Sequence, residues 1–478
     1  MAPSFPRIQA ASTDGRLHNV YHRQVQLEKL CKALIDNVQE IKTAISTDYD
    51  YSAAEIATEY HLTLNEIKRV YSDLKPKDFH EDEYLIANNK DASMAKKPVG
   101  IVYIEPTQYN LFYSSLVPLS TAFAAGNCVI ILLENNLRAV TSLLRRILQA
   151  ALDADTFAVA SSPITDSLLL SKALCVFQNG APGSSQSNQL TSYPTALTVA
   201  VVDRTADVHL AARELVSARF AFEGHSPYAP DYVLVNEFVK QEFLQAVKSQ
   251  CDQLASKSNK ANTGSGIDDK LSNLRKVDSS IRTIVQEANF AVVDISSRAA
   301  AVDGKIHHSI LRVHGIKSAD DAIDLANESS SNIPHLAAYH FGSLAMGKYL
   351  SQFIDAEVSF VNHVPREILV GPAAPSGHTF QPSVRYPVDL FSAPRPAYVH
   401  CSDASKRLAD ILSADGGVSS QQLLNDAAMP LAEFKRNPGG GVGFFEQGFL
   451  ISAGIIVLTT LTASATGMLW LWRWSRPI

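Results

Sequence analysis

Between Gly448 and Trp472 the chain runs GFLISAGIIVLTTLTASATGMLWLW without one charged residue. As a helix, roughly 25 residues reach about 37 Å, more than the ~30 Å hydrocarbon core of a bilayer. Trp470, Trp472 and Trp474 cluster at the end of the run, where interfacial aromatics belong, and Arg473 and Arg476 close it. Helices buried in soluble cores seldom run this long without a charge. The opening residues, MAPSFPRIQAASTDGR, lack the apolar stretch of a secretory signal. The expectation is therefore a C-terminal tail anchor, with the body in the cytosol and the endoplasmic reticulum as the membrane. Lys435 and Arg436 before the run nearly balance Arg473 and Arg476 after it, so the positive-inside rule does not choose the orientation.

The rest of the chain must fold in water. With 478 residues, 46% of them hydrophobic, it can build two or three domain-sized cores. Net charge is −6, and no basic stripe with interleaved aromatics occurs, which argues against a nucleic-acid partner. Five cysteines (Cys31, Cys128, Cys175, Cys251 and Cys401) are scattered without a CxxC pair. Neither a zinc site nor a disulfide framework is indicated, and a reducing compartment fits.

Apolar residues recur at helical spacing from Leu27 through Val38, and a second helical stretch covers Ala53–Leu74. Val99–Ile104 and Cys128–Leu133 read as buried strands, with helices over Leu116–Ala125 and Arg138–Leu152. Val176–Phe177, Ala196–Val202 and Tyr232–Val235 continue the strands; Ala206–Phe222, Glu237–Leu254 and Asp320–Asn327 continue the helices. Such alternation predicts an α/β fold with parallel pairing. Ser256–Gly266 reads as a polar loop. Beyond Ser402 the chain turns small and polar, with helical pieces at Ser405–Leu412 and Ser420–Phe434 and a joint at Asn437–Gly441.

Three segments follow one another: PVGIVYIEPTQYN from Pro98, STAFAAGNCVI from Ser120 and EGHSPYAPDYVLVNEFV from Glu223. Asp321–Ala326 and Ala337–Phe341 follow in turn. Together they resemble the aldehyde dehydrogenase superfamily, and within it the branch of membrane-anchored fatty aldehyde dehydrogenases, to which Ala229–Val235 is closest. The resemblance covers about residues 20–400. It implies a Rossmann-like nucleotide domain, a second α/β domain of catalytic type and a bridging β element, followed by a C-terminal transmembrane helix. The expected division is 1–205, 206–385 and 386–401, then a stalk over 402–447 and the anchor over 448–472. It also implies a homodimer, NAD or NADP as cofactor, and an aldehyde or lipid-like ligand.

The family's chemistry needs a cysteine thiolate, an oxyanion hole and a glutamate base. On this resemblance the cysteine falls on Pro227, which has neither a nucleophilic atom nor a backbone N–H. No cysteine occurs between Cys175 and Cys251. The glutamate falls on Tyr193, and no glutamate lies between Glu134 and Glu214. A tyrosine, with an ordinary pKa near 10, is a poor base at neutral pH. The oxyanion asparagine becomes Gln108, one methylene longer. Among cofactor contacts, the lysine and glutamate for the adenosine ribose become Leu132 and Asn135. The phosphate turn keeps Gly180 and Gly183 at compressed spacing, which alone is weak evidence. The acid for the nicotinamide ribose becomes Lys305. Changes in five separate segments favour lost chemistry on a retained fold.

Sharper readings have weaker support. His225 and Ser226 are chain neighbours with no evident orienting acid, so a replacement triad is disfavoured. His307, His308 and His314 match no standard metal spacing, and the first two would point apart in a strand. Glu223 reads as a solvated helix-end residue, and Cys128 and Cys175 as small core residues. Two classes remain: a membrane-held, catalytically inactive protein of this family, or an active NAD(P)-dependent aldehyde oxidiser with an unorthodox site. A new hydrolytic or ligand-binding activity in the old pocket is a third possibility.

Overall fold

The computed structural model describes residues 4–180, 187–257, 267–277, 281–302, 304–329, 333–413, 417–432 and 444–474. Gly183, most of the polar loop 256–266, the joint 437–441, Lys435, Arg436 and Arg476 lie outside them. Two compact units are formed, residues 1–400 and 401–478.

The first unit carries fourteen strands among its described residues. They are β1 (Lys96–Pro98), β2 (Ile101–Glu105), β3 (Cys128–Leu132), β4 (Phe157–Ala160), β5 (Ala173–Phe177), β6 (Gln189–Thr191) and β7 (Thr198–Val202), then β8 (Tyr232–Asn236), β9 (Arg282–Gln286), β10 (Ala291–Ile295), β11 (Ile310–Ile316), β12 (Ala337–Phe341), β13 (Ser359–Val361) and β14 (Ser392–Pro394). A five-stranded sheet has the order β4-β3-β2-β5-β6, every pair parallel. The order reverses between β2 and β5, which defines a Rossmann-type switch point. A seven-stranded sheet has the order β13-β12-β7-β8-β11-β10-β9. It is parallel except for β9–β10, a hairpin the sequence pattern did not suggest. β1 and β14 pair antiparallel as a separate ribbon, joining residues almost 300 positions apart.

The central strands are continuous apolar runs because helices cover both faces. Every residue of β3, β7 and β8 is buried. Helix Leu111–Ala124 is buried along its whole length between β2 and β3 in the chain, which explains its near-absence of charge. The N-terminal helices Val20–Asp36, Val38–Asp48 and Ala53–Asp73 are amphipathic. Ala53–Asp73 opens with a capping box between Ser52 and Glu55.

In the second unit, helices Asp403–Ser413 and Gly417–Ala427 are joined by an Arg407–Asp426 ion pair of 2.9 Å. The helix Phe444–Trp474 contains one segment, Glu446–Leu469, long and apolar enough to cross a membrane.

Candidate functional site

The expected site positions distribute over two sheet edges. Gln108, Leu132, Asn135 and Gly180 stand at or just beyond the carboxyl ends of β2, β3 and β5. Pro227 and Lys305 stand just before the amino ends of β8 and β11. Tyr193 lies in the connection from β6 to β7, between the two sheets.

At the first edge, Gln178 is fully buried at the switch point. Its Oε1 accepts from Thr107 N at 2.8 Å, and its Nε2 donates to Ser114 O at 2.8 Å. The second bond has a cause in sequence. Pro118, inside helix Leu111–Ala124, has no N–H to offer the carbonyl four residues back. That carbonyl is Ser114's, and Gln178 takes it. The gap between β2 and β5, where an open α/β sheet ordinarily receives a ligand, is thus spanned by a side chain of the protein.

Gly180 donates its amide to Ser192 O at 3.0 Å. A Cβ there would stand 2.0 Å from Thr191 Cγ2, so glycine permits close packing at this point. Leu132 is buried at the end of β3, and Asn135 is exposed. Gln108 is exposed too, while its backbone carbonyl accepts from Tyr49 Oη at 2.5 Å.

The second edge is charged and dry. Asp231, wholly buried, holds Lys305 Nζ at 3.0 Å and Arg219 Nη1 at 3.6 Å. Its carboxylate also accepts from the amides of Thr198 and Ile306 at 2.8 and 3.1 Å. Arg312 Nε donates to its backbone carbonyl at 2.9 Å. Arg219 donates to the carbonyls of Gly224, Ile306 and His308. Burial pulls the Arg219 guanidinium down to about 10, against the pull of Asp231. Lys305 is lowered for the same reason, again opposed by Asp231.

Lys305 joins the site segments directly. Its ammonium donates to Pro227 O at 2.5 Å and Ala196 O at 2.9 Å, linking the Tyr193 segment to the Pro227 loop. Thr198 Oγ1 donates to the same Pro227 carbonyl at 3.0 Å. Tyr193 is half-buried against the main core.

The turn before Pro227 is tight. Helix Val208–Phe220 stops, and Phe222 and Glu223 take left-handed conformations with φ of 49° and 57°. Gly224 follows at φ 70°, where a Cβ would meet the His308 carbonyl carbon at 2.4 Å. Glu223 is therefore not at a helix end, as the sequence pattern suggested. It lies 3.8 Å from His225 Nδ1, an acid the sequence did not reveal. Ser226 is buried, and its Oγ accepts from Tyr228 N at 3.3 Å. His225 turns toward Glu223 and His308, so the two neighbours serve different contacts.

His307 and His308 precede β11 in a loop and are not in a strand. His314 lies within β11, with Nδ1 bonded to Ile295 O at 2.8 Å. Among the described residues no group of three His, Cys, Asp or Glu side chains converges as a metal site. Cys128 and Cys175 are buried on β3 and β5, and burial pushes their thiols up to about 12 and about 11. Elsewhere, helices Val20–Asp36 and Ala53–Asp73 border a surface hollow of about 360 Å³ floored by Leu27 and Ile67; none of the expected site positions lines it.

A Rossmann-type sheet, a larger mostly parallel sheet and a separate two-stranded ribbon, with site segments between the sheet edges, define the aldehyde dehydrogenase architecture. A solved substrate-bound AldH from Staphylococcus aureus superposes with a TM-score of 0.68 at 19% identity, over 88% of this chain and 98% of that one. Aldehyde dehydrogenase family 3 member B1 of Bos taurus is 26% identical over 378 residues, 73% of this chain and 80% of its own length. Family 3 member B2 of Mus musculus is 24% identical over 454 residues, 87% and 93% of the two chains. No family model matches the sequence. In fold and in sequence, the chain is similar to proteins of the aldehyde dehydrogenase superfamily.

Proposed function

We propose that this chain is a member of the superfamily that does not oxidise aldehydes: a pseudoenzyme held at a membrane, retaining a place for an aldehyde or lipid-like ligand. Pro227 carries the reading. At the family's cysteine position it offers no sulfur to attack a carbonyl and no N–H to stabilise an oxyanion. Its one polar atom, the carbonyl oxygen, is already held by Lys305 and Thr198.

The cofactor positions support the same reading. Lys305 stands where the family's acid would hold a ribose, and its ammonium is bound to Asp231 and two carbonyls. Leu132 has no polar group for a ribose hydroxyl, Asn135 replaces the second acid, and the Gly180 amide is donated internally. These residues do not fit NAD or NADP. In this reading the helix Glu446–Leu469 anchors the body, with the endoplasmic reticulum as its membrane, and the chain forms a homodimer.

The test uses the purified full-length chain with a long aliphatic aldehyde and NAD or NADP. No reduced cofactor should accumulate, and calorimetry with NAD should give no binding heat. Turnover, or micromolar NAD affinity, would overturn the reading. Pro227→Cys should remain inactive until Tyr193→Glu and the cofactor contacts are restored as well.

A further inference from the structure

Beside the Pro227 loop, four basic side chains gather from three segments. His225 belongs to the turn before Pro227, His307 and His308 precede β11, and Lys270 lies on helix Ile267–Val277. Lys270 Nζ is 2.7 Å from His308 Nδ1. The His225 and His308 rings stand edge to face at 6.1 Å, and His225 Nδ1 lies 3.8 Å from Glu223 Oε2. Only one proton can occupy the short Lys270–His308 contact, so the imidazole is neutral there when the amine holds it. Burial and neighbouring cations push His308 down to about 4, which keeps it in that neutral form. Burial also lowers Lys270. A partly desolvated amine with a neutral imidazole at 2.7 Å has both a larger share of the nucleophilic free base and a proton acceptor beside it.

We propose that Lys270 is a carbonyl-capture residue, forming a reversible imine with an aldehyde at the rim of the old site while His308 Nδ1 relays the proton. This deepens the preceding reading and rests on it for the ligand class. The neutral amine adds to the carbonyl carbon, forming an N–C bond while the C=O π pair moves to oxygen. A proton passes from the new ammonium through His308 to that oxygen. The nitrogen lone pair then forms C=N as the hydroxyl departs, and the remaining N–H proton passes through His308 to it, so that water is released. Nothing is oxidised or reduced, and no co-reactant is required, so the chemistry survives without the cysteine and without nicotinamide. Hydrolysis by the reverse path releases the aldehyde unchanged.

The experiment traps the imine. The full-length protein in detergent is incubated with hexanal and cyanoborohydride, and alkylated lysines are mapped by peptide mass spectrometry over time. Lys406, with 63% of its side chain exposed, is the internal reference for an ordinary surface amine. Partial burial and the contact with His308 Nδ1 raise the free-amine share of Lys270 and give it a proton relay, so Lys270 should be labelled several-fold faster than Lys406. Lys270→Arg should abolish the fast phase and leave the slow phase intact. His308→Ala should slow labelling at Lys270 alone, with circular dichroism confirming the fold. Labelling of Lys270 no faster than Lys406, or a fast phase that survives Lys270→Arg, would overturn the proposal. Because the assay contains no NAD, its failure is distinct from failure of the non-oxidising reading, which the NADH assay decides.

Discussion

The two sheet edges that border the site bury their polar groups in opposite ways. At the carboxyl edge of the five-stranded sheet the groups are mostly amides: Gln178 bridges β2 and β5, and Asn110 donates to Glu59 Oε2 at 3.0 Å and accepts from Gly371 N at 3.2 Å. At the amino edge of the seven-stranded sheet they are charges, with Asp231 among Arg219, Lys305 and Arg312. One edge is closed by neutral hydrogen bonds, each worth about 1 kcal/mol net. The other is a network in which no member can be removed without stranding a buried charge. At both edges the polar groups are spent on holding the protein's own loops.

The largest effects should come from the charged edge. Asp231→Ala leaves Lys305 and Arg219 without their buried counter-charge and should cost about 3–5 kcal/mol of unfolding free energy. Lys305→Glu removes a counter-charge and sets a second carboxylate beside Asp231. It should destabilise at least as much, and Lys305→Met less. Urea unfolding of the three variants checks the order. A Lys305→Glu protein that is stable and binds NAD would break the comparison, because the cluster would then be a degenerate cofactor site and not a structural one.

Glu59 tests the neutral edge. It is fully buried, with Asn110 and the Tyr113 amide as partners, and burial raises its carboxyl from an ordinary 4.5 to about 7. The unfolded chain therefore releases this proton at lower pH than the folded protein does. Stability should be greatest below about pH 4.5 as far as this group is concerned, fall as pH rises toward 7, and level off above it; the full difference is about 3 kcal/mol. Glu59→Gln should flatten that slope and be the more stable form at pH 8. Melting temperatures of the two proteins across pH 5–8 decide it, and parallel curves would remove Glu59 as a lone buried acid.

Much of this was legible in the sequence, and the exceptions have physical reasons. β2, β3, β7 and β8 announce themselves as apolar runs because both faces are covered. β6 and β13 have three residues each, too few to show a period, and β4 shares its pattern with helix-forming alanine. That no cysteine lies between Cys175 and Cys251, and no glutamate between Glu134 and Glu214, is read from the sequence alone. The charged network was not, since Arg219, Asp231, Lys305 and Arg312 meet only after folding. Arg312 inside the run Ile310–Ile316 was the available signal: a charge in a buried strand must have partners. Gln178 had a fainter one, in Pro118 within an apolar helical pattern.

Gln178→Ala makes that last link measurable. The variant strands the Ser114 carbonyl, which Pro118 cannot satisfy, and the Thr107 amide, so it should cost about 2 kcal/mol. Adding Pro118→Ala supplies the missing N–H to Ser114 and should recover part of the loss, giving a favourable coupling in a double-mutant cycle. Strict additivity would mean that Gln178 acts only by filling space.

The smallest effect belongs to the rim. His225 is 42% exposed, and its contacts to Glu223 and His308 are long. Exposed substitutions away from caps and cores usually fall within about 0.5 kcal/mol. His225→Gln should therefore leave unfolding unchanged, although the residue lies only two positions from Pro227. A large loss would mean that the charged edge extends outward through His225 and His308 to Lys270, and that the rim is part of the structural network. A negligible one would place the boundary between Arg219, which is fully buried, and the imidazoles outside it: inward of that line the polar groups are committed to holding loops, and outward of it they contact one another at a more exposed rim.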